Sequence, residues 1–149
     1  MYGKIPDAEL RRFYSLWRDM TVIYEEWSKA HGIGGSAVLV LHSLYYDRDG
    51  CTQRMICDRW LFPKQTVNTI LKDFERRGLI EFSHLKSDRR NKLIHLTPEG
   101  KALAAAIIPE LLELELHVME RMGVAGRAGL IDGMARFAAY FREGLPDKR

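Results

Sequence analysis

The stretch from Leu85 to Gly100, LKSDRRNKLIHLTPEG, constrains the fold more than any other part of the chain. Lys86, Arg89, Arg90 and Lys92 crowd around Asp88 at one tight turn, and a tip this cationic is complemented by phosphate. Leu93, Ile94, His95 and Leu96 then read as a short strand. Thr97 followed by Pro98 supplies an N-cap hydroxyl and a residue suited to the first helical position. Upstream, Leu79 to His84 alternates weakly, with Ile80 and Phe82 on one face, and pairs with Leu93 to Leu96 across the charged turn. The segment predicts a β-hairpin arm that runs straight into a helix.

Most of the remaining chain has helical periodicity. Phe13, Trp17, Met20, Tyr24 and Trp27 recur at intervals of four, three, four and three, which lays an aromatic stripe along a helix from about Asp7 to about His31. So wide a stripe requires a substantial partner surface. Gly32, Gly34 and Gly35 end that helix, and Ser36 is placed to cap a second one carrying Val38, Leu41, Leu44 and Tyr45. After a turn at Asp47 to Gly50, Thr52 is the N-cap expected of a short helix through about Trp60. Leu61 and Phe62 connect it to a helix starting at Pro63, whose Val67, Ile70, Leu71 and Phe74 share an inward face and whose stop is Gly78. A long helix from Pro98 to about Met122 is expected to kink or break at Pro109. Gly123 and Gly126 separate it from a last helix.

Charge is unevenly placed. The net charge is only +3, yet residues 63–92 hold eight basic and four acidic side chains, so the positive excess is concentrated there. A basic face on a near-neutral body suits a polyanion better than a membrane. The N-terminal MYGKIPDAELRRFY is charged before any apolar run develops, and the most apolar stretch, Ala102 to Ile108, stops at Pro109. Neither a signal peptide nor a membrane span is expected, and the chain is expected in the cytoplasm. Cys51 and Cys57 are too few for a disulfide framework and read as small hydrophobes. No His or Cys pair has a metal-ligand spacing, and there is no phosphate-cradling glycine loop or nucleophile elbow. No metal, cofactor or enzymatic activity is expected.

On the helix opening at Pro63, the inward positions leave Lys64, Gln65, Asn68, Thr69 and Lys72 outside, with Thr66 near the exposed first turn. That face contains no acid. Amides and hydroxyls pair with base edges, lysines meet phosphate or guanine, and the helix N-terminus favours negative charge. A solvated surface has the same composition, but the basic arm that follows stands where a winged helix requires it. Asp88 is read as an internal acceptor for an arginine that fixes the loop, and Arg89 or Arg90 as reaching a neighbouring minor groove.

The run Asp88-x-Arg90-x-x-x-Ile94-x-Leu96-Thr97-x-x-Gly100 resembles the wing signature of the MarR family of winged-helix transcriptional regulators, and PKQTVNTILKDFERRGLI resembles its recognition helix. Helical order and length are similar over nearly the whole chain. The resemblance implies a mainly α fold with a small β-hairpin wing, a winged helix-turn-helix lobe over about 33–97, and a helical dimerisation region over about 5–31 and 98–145, all in one domain. It implies an obligate homodimer setting two winged helices on successive major grooves of a pseudopalindromic duplex. Gln65, Thr66, Asn68 and Thr69 would read bases, Arg90 would enter the minor groove and Asp88 would orient the wing. Ser36 and Gln53 sit where the family often contacts phosphate. Glycines 32, 34 and 35 depart from the polar cap more usual before the family's second helix.

Family members commonly bind small aromatic ligands between the dimer region and the DNA-binding lobe. Trp17, Tyr24, Trp27, His42 and Tyr46 are the residues that would line such a cavity here, although the aromatic stripe reads more simply as core or dimer packing. Phe13, Leu111, Leu114, Val118, Leu130, Met134, Phe137 and Phe141 are the expected dimer contacts. The peroxide-sensing members use a cysteine in the first helix, and this chain has none there. The sequence thus points to a homodimeric DNA-binding repressor released by a small ligand. The alternatives are a ligand-independent or activating regulator of the same fold, and a winged-helix module that meets an acidic protein.

Overall fold

A computed structural model describes residues 7–85 and 88–146. In chain order these form α1 (Asp7–Ala30), α2 (Gly35–Tyr46), α3 (Gln53–Trp60), α4 (Lys64–Arg76), β1 (Ile80–Leu85), β2 (Asp88–Leu96), α5 (Pro98–Arg121) and α6 (Gly123–Glu143). This is the mainly helical, winged-helix architecture that the sequence implies. The chain divides into two compact units, residues 1–108 and 109–149.

In the first unit α2 is the central element. Its Val38, Val40, Leu41, Ser43 and Leu44 are buried, so it is covered on more than one side rather than along a single stripe. Ile56 of α3, Val67, Leu71 and Phe74 of α4, Ile94 of β2 and Ile107 and Ile108 of α5 complete the core. Each fully buried side chain of this size contributes about 1.5–3 kcal/mol. Ser43 is the one hydroxyl buried in α2, and it accepts a hydrogen bond from Trp60 Nε1 at 2.8 Å. That bond anchors the end of α3, and the Arg59–Asp47 ion pair at 2.9 Å ties the same helix to the end of α2.

The helix ends for which the sequence names a capping residue follow local chemistry with one exception. Thr52 caps α3 as expected, its hydroxyl accepting from Met55 N at 3.2 Å. Pro63 is the N-cap of α4 and Lys64 its first residue, one position later than the sequence suggests. α4 ends in a paired closure in which Gly78 N donates to Glu75 O and Leu79 N to Phe74 O, both at 2.9 Å. Gly78 takes the left-handed φ of +70° that this closure needs. The exception is α2. Ser36 does not cap it: the N-cap is Gly34, without a side-chain bond, and Ser36 lies inside the first turn. The cap comes from α1, where Glu25 Oε2 accepts from Gly35 N at 2.9 Å.

The hairpin pairs Ile80 with Leu96, Phe82 with Ile94 and His84 with Lys92, so those side chains share one face. The second strand is longer than its apolar residues indicate. It begins at Asp88, with an irregularity in register between His84 and Leu85. Much of the expected charged loop is therefore strand, because backbone pairing continues where side-chain alternation has stopped. Cys51 adds a single bridge to Ile94, with N···O distances of 3.2 and 2.9 Å.

Thr97 performs the expected cap of α5 and more. Its hydroxyl accepts from Gly100 N at 3.1 Å and donates to Gly78 O at 2.6 Å. α5 is assigned as one helix through Pro109, so the expected break does not occur there. α6 begins at Gly123, and Gly126 lies within it rather than in the connection. α6 buries none of its residues.

Candidate nucleic-acid interface

The outer face of α4 is presented as the sequence predicts. Val67, Leu71 and Phe74 are buried and Ile70 is half-buried, which leaves Lys64, Gln65, Thr69 and Lys72 exposed, with Thr66 and Asn68 half-buried beside them. The first turn contains no acid and receives no side-chain cap, so its free amides and the helix dipole favour an anion. Thr69 donates its hydroxyl proton to Gln65 O at 3.0 Å, leaving the oxygen as an acceptor toward solvent.

Gln53 braces this face. Its Nε2 donates to Lys64 O at 3.2 Å, which fixes the start of α4 against α3. Gln53, Arg54, Cys57 and Lys64 line a groove of about 540 Å³ together with Phe82 and Lys92 of the hairpin. Lys92 Nζ stands over the Phe82 ring, 5.5 Å from its centre, a cation–π placement that holds the charge beside the groove. Arg54 is missing from the sequence-derived set. Its only sequence signal is its place beside Gln53, and nothing local shows that the first turn of α3 faces the hairpin. On the opposite flank of α4, Ser36 shares a groove of about 450 Å³ with Gln65, Thr66 and Thr69.

Lys86 lies outside the described residues. The backbones of Asp88, Arg89 and Arg90 belong to β2, and their side chains lie outside the description.

Two groups of ring contacts involve the aromatic candidates. His42 lies 4.6 Å from Tyr46 and 5.5 Å from the Trp60 ring. Trp27 stacks on His31 at 3.9 Å, and Trp17 meets Phe13 edge-on at 5.7 Å. Trp17 is 62% exposed, and Tyr24 and Tyr46 are exposed as well. Of the candidate dimer residues, Phe13 and Leu111 are half-buried, and Leu114, Val118, Leu130, Met134, Phe137 and Phe141 are exposed.

Both cysteines are free thiols. Burial beside β2 raises the Cys51 thiol from 9.0 to about 11, with the nearby Asp47 carboxylate adding to the rise and Arg59 opposing it. In the unfolded chain this thiol ionises from about pH 9, so the folded state loses stability as pH rises from about 9 to about 11 and is unaffected by Cys51 below that. At pH 7.5 a maleimide is expected to label Cys57, which is half-buried in the groove, well before Cys51. Equal labelling of both in the native protein would contradict the buried placement of Cys51.

Among the described residues no group of three or more His, Cys, Asp or Glu is placed to hold a metal ion, and no helix is long and apolar enough to cross a membrane.

Comparison with known proteins matches residues 31–91 to the MarR family. The HTH-type transcriptional regulator Hpr of Bacillus licheniformis is 27% identical over 94 residues, covering 63% of this chain and 45% of Hpr. The chain spans about half the length of the curated relatives it matches. NMB1585, a MarR family regulator from Neisseria meningitidis, superposes with a TM-score of 0.74 at 26% identity, covering 91% of this chain and 94% of that one. The MepR–DNA complex from S. aureus shares the fold, with a TM-score of 0.73 at 22% identity over 92% of this chain and 99% of MepR. The matched segment runs from just after α1 through α4 and into β2, the elements that build the exposed α4 face, and over it this chain is similar to MarR family regulators.

Proposed function

We propose that this chain is a sequence-specific DNA-binding transcriptional regulator acting as a homodimeric repressor. The observation that carries the proposal is the outer face of the first turns of α4, without an acid from Lys64 to Lys72 and with Lys64, Gln65, Thr69 and Lys72 exposed, and a basic hairpin alongside. Gln65, Thr66, Asn68 and Thr69 read base edges in the major groove, while Lys64, Lys72, Lys92 and Arg54 meet phosphate. Lys86 and Arg89 add charge at the hairpin tip, Arg90 enters the adjacent minor groove and Asp88 orients the tip. Gln53 acts by bracing α4 rather than by contacting DNA alone, and Ser36, which shares its groove with Glu25, is not assigned a phosphate contact.

The apolar side chains that α6 leaves exposed support a second copy as the partner that covers them. A pair of winged helices matches a pseudopalindromic operator. Release is proposed through a small aromatic ligand held by Trp17, Tyr24, Trp27, His42 and Tyr46, favouring a dimer whose recognition helices are wrongly spaced. A tenfold release requires only about 1.4 kcal/mol of differential binding.

Selection of bound duplexes from a random pool, followed by titration across salt concentrations, tests the proposal. Enrichment of one two-fold-related motif with steep salt dependence is expected. Tight binding to an acidic protein with no duplex preference would favour the interaction-module reading instead. With the operator in hand, Gln65→Ala is expected to relax base choice at one position in each half-site by about 1–3 kcal/mol. Uniform weakening on every sequence would remove Gln65 from base reading.

A further inference from the structure

The two flanks of α4 carry opposite charge. On the hairpin side the groove is lined by Arg54, Lys64 and Lys92, with no carboxylate among its described lining residues. On the other side, the groove beside Gln65, Thr66 and Thr69 is lined by Glu25, with no lysine or arginine among its described lining residues. From Lys64 to Lys72 the outer face of α4 holds no acid of its own, and the fold brings one to its edge from α1.

Glu25 is held in place there. Its Oε2 accepts from Gly35 N, the first amide of α2, at 2.9 Å. A Cβ at Gly35 would stand 2.5 Å from that oxygen, so glycine is what lets the carboxylate in. Lys29 lies 3.8 Å from Oε1, but it is mostly exposed and does not line the groove, so screening weakens the pair. The N-terminus of α2 is electropositive. A DNA phosphate arriving on this flank meets amides already occupied by a carboxylate that repels it.

We infer that Glu25 is a specificity-determining residue for duplex DNA, holding the phosphate backbone off the α2 flank so that base contacts made by α4 decide where the protein rests. The inference rests on α4 being the DNA-reading helix. Non-specific binding consists almost wholly of phosphate contact, so a repulsive charge acts on all of it. In the specific complex, base-edge contacts supply a share that the carboxylate does not touch.

The test compares Glu25→Gln, which keeps an acceptor for Gly35 N–H and loses the charge, with Glu25→Asp, which keeps the charge. Each full-length variant is titrated with the selected operator and with a scrambled duplex across a series of KCl concentrations, with thermal melts alongside. The Gln variant is expected to bind scrambled duplex about three- to tenfold more tightly and to gain less on the operator. Its log affinity for the scrambled duplex should fall more steeply with log salt, by about one unit for one added phosphate contact. The Asp variant is expected to discriminate as the wild type does. Unchanged discrimination and salt slope in the Gln variant would overturn the inference, as would equal loss of discrimination in both variants, which assigns Glu25 to capping alone. Wild-type protein that binds neither duplex would overturn the DNA-binding reading and this inference together, a result distinct from wild-type discrimination persisting without the charge.

Discussion

Gly100→Ala is expected to destabilise the protein by about 3 kcal/mol or more, at the upper end for a single added methyl group. A Cβ at position 100 would stand 1.9 Å from Leu79 O and 2.9 Å from Leu79 C. Neither atom belongs to a flexible side chain. Leu79 O already accepts from Thr97 N at 3.0 Å, so relieving the clash means pulling the start of α5 away from the residue that follows α4. Urea unfolding followed by circular dichroism measures the loss. Gly34→Ala is the control, since a Cβ there meets nothing within 4 Å, and it is expected to change stability by only about 0.5 kcal/mol. Similar midpoints for the two variants would contradict the close packing of α5 on Leu79.

The second large effect concerns α6. Met134 is 66% exposed and Phe141 62% exposed in the single chain, so a charge at Met134 is harmless unless something covers it. Met134→Glu is expected to convert the proposed dimer to a monomer, because burying an uncompensated carboxylate costs several kcal/mol. Operator affinity should then fall by about a hundredfold or more as linked binding of two half-sites is lost. Sedimentation velocity reads the first effect and titration with full and half operators the second. A variant that remains dimeric at micromolar concentration with unchanged operator affinity would remove α6 from the interface.

What the sequence reveals and what it hides separate along a physical line. The inward face of α4, the Thr52 and Thr97 caps and the pairing of Ile80 and Phe82 with the strand before Thr97 are all encoded within a few residues of where they act. Each follows from periodicity or from a side chain's reach to its own backbone. The cap of α2 is not encoded that way. It depends on Glu25 reaching across from α1 into space left by Gly35, whereas Ser36, the better local candidate, lies inside the first turn. The same holds for the bond from Trp60 to Ser43 and for the bridge from Cys51 to Ile94, neither of which has a repeating pattern. The extent of β2 was hidden for a different reason. Asp88, Arg89 and Arg90 do not alternate in polarity, so the first part of β2 reads as loop.

For the candidate site, the residues on α4 were legible because amphipathic spacing sorts them unambiguously into inside and outside. Arg54 and Glu25 were not, since their membership depends on which elements the tertiary fold sets against the flanks of α4.

The hydroxyl of Thr97 joins Gly78, just past the end of α4, to Gly100 in the opening turn of α5. Two helices that are separated in the chain by an entire hairpin thereby share a single pin. A displacement of the first turn of α5 is thereby passed to the trailing end of α4 along a route of two hydrogen bonds.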